Sequence, residues 1–393
     1  MTVKLKDLVD FSNGYAFKSS DYVEHSNTVN CRMSNIRPDG SFDIEYNIKY
    51  LPDEFAEKYS GFILNDGDII IAMTDMAGDP KILGVPTLVN TKGYSVLMNQ
   101  RVGKLTLKSK DIHPTYLKYY LMSNYARNYF KSFAGGGVQL NIGQKEILNI
   151  DIKLCDMKEQ VEICNVLDKI NVLIQQNSKQ IEKIDQLVKS RFIEMFGDTI
   201  LNPYNWDKEP LGKVCDVRDG THDSPKYYDT GYPLVTSKNL SSGDIDFTDC
   251  SLICKNDFDK INERSKVDFG DILMPMIGTV GNPVIVKIKD EFAIKNVALI
   301  KFCDNTKVTN IYIQALLKSD YFDSEVLGKV RGGTQKFISL GDIRKLEILV
   351  PPMELQNQFA EFVEQTDKLK FEVKQALEKL ETLKKSLMQK YFG

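Results

Sequence analysis

The chain has 393 residues, of which 42% are apolar and 27% are charged, a composition typical of a globular protein with two or three domains. Its net charge of −3 excludes a basic protein that coats nucleic acid through bulk charge, so any nucleic-acid surface must be local or completed by a partner. Without a membrane-length apolar run or a signal-peptide hydrophobic region, and with scattered cysteines, we expect a cytoplasmic protein with no membrane partner. The pair Cys250 and Cys254 has no matching second pair and the chain has only three histidines, so we expect no metal.

Residues 1–155 are predicted to form a first globular domain of mixed strands and helices. Residues 3–11 alternate as a strand or a short helix would. The apolar run at residues 69–73 follows the turn Asp66-Gly67-Asp68, which indicates a buried strand. The remaining predicted elements are strands at 87–90 and 102–107, a helix at 115–133 and a strand at 147–154.

Residues 156–197 are predicted to form one long helix. Apolar residues at alternating spacings of three and four form a heptad seam, and neither Pro nor Gly interrupts the run Met157–Phe196. Gly197 stands where a helix stop is expected. The seam residues that we expect at a helix interface and at a partner-binding surface are Ile163, Leu167, Ile170, Ile174, Ile181, Ile184 and Val188.

Residues 198–350 are predicted to repeat the plan of the first domain. Gly270-Asp271 introduces an apolar run as Gly67-Asp68 does, and Gly136-Gly137-x-Gln139 matches Gly332-Gly333-x-Gln335. Between these anchors the two sequences differ almost completely. Loops on a rigid scaffold commonly carry recognition, so the contrast predicts two recognition domains of different specificity.

Residues 351–393 are predicted to form a second long helix. One offset of 196 residues aligns Met157–Phe196 with Met353–Phe392 without a gap, and such an internal repeat indicates duplicated structure. The alternative is two ordinary amphipathic helices, each lying on its own globular domain. The corresponding seam and partner-binding candidates are Val373, Leu377, Leu380, Leu383 and Leu387.

Several of these segments resemble one known family. Gly14-Tyr15-Ala16-Phe17-Lys18 and Asp219-Gly220-Thr221-His222-Asp223 resemble the opening of target-recognition domains in the specificity (S) subunit of type I restriction-modification systems. The run Pro351-Pro352-Met353-Glu354-Leu355-Gln356 resembles the start of the family's conserved helix. The first copy departs from this pattern, since it has Cys155-Asp156 in place of the proline pair.

The resemblance implies an α+β fold, with two mixed α/β target-recognition domains separated by two long helices in an antiparallel coiled coil. It implies an adaptor rather than an enzyme, one that needs no cofactor and binds double-stranded DNA at a bipartite asymmetric sequence. The implied protein partners are two methyltransferase (M) subunits, which a restriction (R) subunit can join.

Side chains that match base edges or phosphates are the candidate DNA contacts, because Arg and Lys suit guanine, Asn and Gln suit adenine, and hydroxyl or amide groups suit phosphate. In the first domain the candidates are Tyr15, Lys18, Arg32, Ser34, Asn35, Arg37, Thr74, Lys81, Gln100, Arg101, Gly136, Gly137 and Gln139. In the second domain they are Thr221, His222, Lys226, Thr236, Lys238, Asn239, Asn296, Arg331, Gly332, Gly333, Thr334, Gln335 and Lys336. The glycine loops kept in both copies are predicted to approach phosphates.

Two other classes of protein stay open. A DNA methyltransferase needs a catalytic tetrapeptide and a Gly-rich turn, but Asn202-Pro203-Tyr204 lacks the second proline and no phosphate-binding loop motif occurs. A coiled-coil scaffold or adaptor that does not read DNA suits the sequence pI of about 5.8. The dissimilar loops on duplicated domains favour DNA recognition over that scaffold.

Overall fold

A computed structural model describes residues 1–241, 243–277, 281–303, 305–325 and 337–393. The chain divides into two compact units. The first unit comprises Met1–Asn177 together with Ala376–Gly393, and the second comprises Ser178–Gln375. Each long helix therefore contributes one part to each unit.

The first unit holds two four-stranded sheets and two smaller ones. Its strands are β1 (Thr2–Lys4), β2 (Val9–Asn13), β3 (Thr28–Cys31), β4 (Tyr50–Leu51), β5 (Ile63–Leu64), β6 (Ile69–Ala72), β7 (Thr74–Met76), β8 (Pro86–Leu88), β9 (Ser95–Met98), β10 (Val102–Leu107), β11 (Gln139–Asn141) and β12 (Asp151–Lys153). Its helices are α1 (Leu5–Leu8), α2 (Glu54–Lys58), α3 (Pro114–Met122), α4 (Asn124–Phe133), α5 (Gln144–Leu148) and the first part of α6 (Met157–Phe196), with 3-10 turns at Ser19–Asp21, Met33–Asn35 and Ser60–Phe62.

The sheet β2-β10-β6-β8 lies between two apolar cores, while the sheet β4-β3-β9-β5 carries the parallel pair β3 and β9. Alternate residues of β6 enter different cores, because Ile69 and Ile71 pack on the helical side whereas Ile70 and Ala72 pack on the opposite side. A strand that is buried on both faces is apolar throughout, which explains the uninterrupted run in the sequence.

The second unit repeats this arrangement. Its strands are β13 (Asp207–Pro210), β14 (Asp216–Asp219), β15 (Tyr232–Val235), β16 (Ser251–Ile253), β17 (Ile272–Pro275), β18 (Val284–Ile285), β19 (Ala293–Ile294), β20 (Val297–Lys301) and β21 (Glu347–Val350). Its helices are α7 (Leu211–Val214), α8 (Lys255–Ser265), α9 (Asn310–Leu317), α10 (Asp320–Glu325), α11 (Leu340–Arg344) and part of α12 (Met353–Phe392), with a 3-10 turn at Ser237–Leu240. The described strands form the sheets β14-β20-β17-β18, β16-β15-β19 and β13-β21, and β15 runs parallel to β19.

Both repeat segments are single helices of 40 residues. In the first unit the start of α6 and the end of α12 share one core, where the ring of Phe392 lies 5.3 Å from the ring of Tyr116. In the second unit the end of α6 packs with the start of α12, and Phe196 lies 4.8 Å from Tyr312 and 5.4 Å from Phe359. In each unit the two helix segments therefore run antiparallel.

A buried glutamine joins each long helix to its domain. Gln160 and Gln356 are both 0% exposed. The Gln160 amide donates to the carbonyls of Asp111 and Cys155, and its carbonyl accepts from the amide of His113 at 2.9 Å. Gln356 makes the equivalent three bonds in the second unit. The duplication therefore extends to individual hydrogen bonds.

The predicted α+β fold with two mixed domains and two long helices is confirmed, but several predicted elements differ in detail. The helix predicted at 115–133 is two helices, because Ser123 has an extended backbone and caps α4 through its hydroxyl. The strand predicted at 147–154 is only Asp151–Lys153, since the preceding residues end α5. The domain limits at 155 and 350 stay predictions, because the compact units divide the long helices internally.

Gly197 has a φ of 78°, which favours glycine and agrees with its predicted place as the helix stop. Among the described residues, the helices include none that is both long and apolar enough to cross a bilayer.

Candidate DNA interface

The first unit gathers candidate residues where its two parallel strands end. Because β3 and β9 run in the same direction, Arg32 and Asn99 both follow carboxyl ends at one edge of the sheet. The amide of Asn99 donates to the carbonyl of Cys31 at 2.9 Å. The amide of Tyr15 donates to the Met98 carbonyl at 2.8 Å, which brings the end of β2 to the same edge.

Gly14 allows this close approach of the two loops. A Cβ atom at Gly14 would lie 2.2 Å from the carbonyl oxygen of Asn99, a separation that real side chains do not adopt. The Gln100 amide then donates to the Tyr15 carbonyl at 2.9 Å. Only glycine therefore permits Tyr15 and Gln100 to lie side by side.

The same edge continues into the glycine-loop hairpin. The amide of Met73 donates to the Arg101 carbonyl at 3.0 Å, and β7, the next strand, pairs with β11, which begins at Gln139. Gly136 and Gly137 precede β11 and are exposed. Tyr15, Arg32, Gln100, Arg101 and Gln139 thus lie along one hydrogen-bonded edge.

An aromatic cluster lies under Tyr15. The ring centroids of Tyr59 and Phe62 lie 4.5 Å and 5.5 Å from that of Tyr15, which is 37% exposed. A side-chain hydrogen bond with Tyr59 is the main reason that the pKa of Tyr15 is raised. No pattern in the sequence indicates Tyr59, since its contact depends on tertiary pairing.

Four further candidates of the first unit lie away from this chain of hydrogen bonds. The guanidinium of Arg37 lies 3.9 Å from the ring centre of Tyr46. Lys81 is paired with Asp79 at 3.2 Å, and Lys18 is exposed before a 3-10 turn. Ser34 is partly buried, and its hydroxyl has no partner among the described residues.

The second unit has the same edge with different side chains. The amide of Lys295 donates to the Val235 carbonyl at 2.9 Å, just as Asn99 contacts Cys31 in the first unit. The amide of Thr221 donates to the Ile294 carbonyl, and that of Asn296 donates to the Thr221 carbonyl. Thr221 and Asn296 are therefore the structural counterparts of Tyr15 and Gln100.

A charged cluster stands at this second edge. The imidazole of His222 has Nε2 2.9 Å from Asp219 Oδ2 and Nδ1 2.8 Å from Asn296 Oδ1. Arg264 of α8 donates to the other oxygen of Asp219 at 2.8 Å. The Asn296 contact, followed by the Asp219 contact, raises the pKa of His222. Sequence reasoning missed Arg264, which adjoins the site only in the folded chain, and also Lys295, although it directly precedes the candidate Asn296.

Three further candidates of the second unit are exposed or partly exposed. Thr236 donates its hydroxyl to Asn239 at 2.9 Å, at the carboxyl end of β15. Lys238 is exposed on the 3-10 turn that follows. The Lys226 ammonium lies 5.6 Å from the ring centre of Tyr228 in an exposed loop. The candidates from Arg331 to Lys336, with their glycine loop, lie outside the described residues.

Three candidates are corrected by their burial. Asn35 is 1% exposed, and its amide donates to the carbonyls of Asp43 and Tyr46. Asn239 is 7% exposed and holds the Asp246 carbonyl in the same manner. Thr74 is 2% exposed and donates to Asn141. These side chains shape the loops, and the proposed DNA contacts therefore exclude them.

The partner-binding prediction for the seam also needs correction. Ile163, Leu167, Ile170, Ile184 and Val373 are at most 6% exposed, so the proposed docking surface leaves them out. The partly buried members of the seam are Ile174, Ile181, Val188, Leu377, Leu380 and Leu387. Leu383 is the one described seam candidate that is exposed, at 47%.

The aspartates that follow Gly67 and Gly270 have structural roles. Asp68 and Asp271 each bind a strand lysine at 2.6 Å, Lys104 and Lys301 respectively. No group of three or more His, Cys, Asp or Glu side chains that could hold a metal occurs among the described residues. The segment Asn202-Pro203-Tyr204 partly resembles a methyltransferase tetrapeptide. Its Asn202 side chain makes two hydrogen bonds to the backbone of Trp206, which close a turn.

The family model for the type I restriction modification DNA specificity domain matches residues 1–186 and, a second time, residues 203–384. The chain belongs to this family. The assignment confirms the resemblance that the sequence suggested and supports a specificity subunit over a scaffold that does not read DNA. The two matches also agree with the internal duplication.

Named specificity subunits of the same family are similar to this chain. The MjaVIII specificity subunit of Methanocaldococcus jannaschii is 32% identical over 48% of this chain and 43% of its own length. The chain thus spans less than half of that relative. The putative MjaX specificity subunit of the same organism is 25% identical over 98% of this chain and 91% of its own length.

Solved structures share the fold. An S subunit from M. genitalium superposes with a TM-score of 0.59 at 14% identity, covering 100% of this chain and 96% of that one. A chain from a structure on complex assembly of the type I R-M system has a TM-score of 0.56 at 17% identity, with 100% and 97% covered. At these identities the likeness concerns the fold alone.

Proposed function

We propose that this chain is the non-catalytic DNA-reading subunit of a type I restriction-modification complex, with one half of a bipartite target read by each domain. The observation that carries the proposal is the pair of equivalent edges. Both have the same backbone hydrogen bonds, but one presents Tyr15 and Gln100 where the other presents Thr221, His222 and Asn296. A shared framework with different polar side chains suits two readers of different base sequence.

The proposed contacts divide into two groups. Gln100, Arg101, His222 and Asn296 lie at the strand ends and carry the donors and acceptors that base edges require. Gly136 and Gly137 stand in an exposed loop beside β11, where backbone amides suit phosphate. The net charge of −3 leaves much of the phosphate contact to partner subunits.

The proposed partners are methyltransferase subunits, which a restriction subunit joins, and the proposed docking surface lies on the exposed face of the long helices. Leu173 and Leu369 are both 44% exposed, while Leu187 and Leu383 are 51% and 47% exposed. Each pair is related by the offset of 196 residues. The first unit therefore carries the exposed leucines Leu173 and Leu383, and the second unit carries Leu187 and Leu369. One equivalent pair in each unit suits two copies of one partner.

The docking surface can be tested with Leu187→Asp combined with Leu383→Asp. We expect methyltransferase subunits to be lost from the purified complex, since charges would enter an apolar interface. The control is Gln186→Asp with Thr382→Asp, which adds the same charges at exposed neighbouring positions that face another direction. If both double variants recovered equal amounts of methyltransferase subunit, the exposed leucines would not be the docking surface.

Domain exchange tests the two-reader proposal. Replacing residues 1–155 with the matching segment of a relative should change one half of the methylated target and keep the other, because each unit has its own core and edge. The exchanged segment must keep the tyrosine that contacts Phe392. Methylation mapping of genomic DNA measures the result, and a change in both halves would contradict independent reading.

A further inference from the structure

The His222 cluster ties one candidate base contact to a titratable group. Asp219 is 15% exposed at its side chain, and Arg264 holds it through Oδ1 while also donating to the backbone carbonyls of Asp219 and Gly220. The second carboxylate oxygen is thereby fixed 2.9 Å from Nε2 of His222. The Nε2 atom of the imidazole is thus bound by the Asp219 carboxylate, whose orientation Arg264 fixes.

The other ring nitrogen decides the orientation of Asn296. Its Nδ1 lies 2.8 Å from Asn296 Oδ1. A charged imidazole donates from both nitrogens, so it satisfies Asp219 and the Asn296 carbonyl together. Among the described residues nothing bonds to Nδ2 of Asn296, and this amino group is left for a ligand.

Asn296 is well placed to present that group. It has a φ of 55°, a left-handed conformation that asparagine tolerates, at the carboxyl end of β19. An amino group facing a DNA groove suits an acceptor such as O6 or N7 of guanine or O4 of thymine. Loss of the Nδ1 proton reverses this arrangement, since a neutral ring accepts at Nδ1 and draws the amino group toward itself. Asn296 then presents its carbonyl, which suits the amino groups of cytosine and adenine.

We infer that His222, positioned by Asp219 and Arg264, selects the base read by Asn296, because it fixes which end of the Asn296 amide faces the DNA. The inference rests on the proposed function and adds a specificity-determining relay to its second domain. Asn296 is the reading group of this relay, whereas His222, Asp219 and Arg264 are positioning residues.

The relay makes base choice at one position depend on pH. Bonds to Asn296 and then to Asp219 raise the pKa of His222, while burial and the cation of Arg264 act in the opposite direction. The other charged residues on the adjoining loops are Asp223, Lys226, Asp229 and Lys295. Because the pKa of His222 is raised, the imidazole is still charged at pH values somewhat above its ordinary pKa of about 6.5. Asn296 therefore presents its amino group to DNA when the pH is below the raised pKa.

The first domain provides an internal control. At its equivalent edge Gln100 takes the place of Asn296, and Ala16 follows Tyr15 where His222 follows Thr221. The Gln100 amide therefore has no imidazole partner in the corresponding place. Base preference in the first half-site is expected to be the same at both pH values.

The test uses the full chain in complex with its methyltransferase subunits and duplexes in which each base pair of the mapped target is replaced in turn. Competition binding is measured at about pH 6, about pH 8.5 and intermediate values, because the pH at which the preference changes reports the titration of the imidazole. We expect one position in the second half-site to change its preference about ten-fold between the lowest and the highest pH. His222→Ala should abolish this change, and Asn296→Gly, which keeps the backbone conformation, should relax the same position.

Asp219→Asn distinguishes a positioning role of Asp219 from a general effect on folding. Because it removes the nearby negative charge, the pH midpoint of the preference should move downward while first-half-site discrimination is kept. An equal preference at both pH values in the wild-type complex, or a pH dependence that survives His222→Ala, would overturn the relay. Absence of preference in both half-sites would instead overturn the proposed function, and the relay with it.

Discussion

Gln160→Ala is expected to destabilise the first unit by about 2–4 kcal/mol, and Gln356→Ala the second unit by a similar amount. Each side chain is 0% exposed and satisfies three backbone groups of the neighbouring loops. Alanine would leave those groups without partners and create a cavity. The loss of stability should be large because the three hydrogen bonds of the glutamine connect the long helix to the domain.

Hydrogen exchange measured along the chain can assign the destabilisation to one unit. Gln160→Ala should lower protection in the core of the first unit, and Gln356→Ala in that of the second. Gln176→Ala and Gln365→Ala are matched controls, because both residues are exposed on the same helices. If a buried glutamine and its exposed control lowered protection equally, these hydrogen bonds would contribute little to stability.

Gly14→Ala should abolish recognition of one half-site, and Gly220→Ala that of the other. The added Cβ would lie 2.2 Å from the carbonyl oxygen of Asn99 or Ile294, so the two loops would have to separate. Their separation would displace the neighbouring side chains that are proposed to read bases. Because more than one such side chain would move, discrimination should fall about 100-fold in that half-site.

Gly61→Ala is the control for both substitutions, because an added Cβ there has no atom within 4 Å. Binding to duplexes altered in one half-site measures the discrimination of each domain. Full discrimination in Gly14→Ala would mean that the edge containing Tyr15 and Gln100 does not contact bases.

The long helices were predictable because their signal is local and repeated. Met157–Phe196 and Met353–Phe392 lack proline and glycine, keep one apolar period and align at one offset. The buried strand β6 was equally clear, since a strand between two cores must be apolar on both faces. In each of these segments the pattern of apolar residues along the chain directly reflects which side chains are buried.

The use of each buried or polar residue was harder to predict. The seam showed that Ile163 and Leu167 would be buried, but not that they would pack within the first unit rather than against another protein. An asparagine that could bind adenine has the same amide as one that holds a loop, which is the role of Asn35 and Asn239. Arg264 joins the second edge only through tertiary contacts, and no spacing in the sequence indicates them.

The exchange of helix ends between the domains has a consequence for synthesis. The second unit is one continuous stretch of chain, whereas the core of the first also requires Phe392. At about 5–20 residues per second, the ribosome needs on the order of ten seconds or more to reach that residue after the first 177 have been made. During that interval Tyr116 and Tyr120 lack their contacts with the ring of Phe392. The domain that is translated first is therefore completed last.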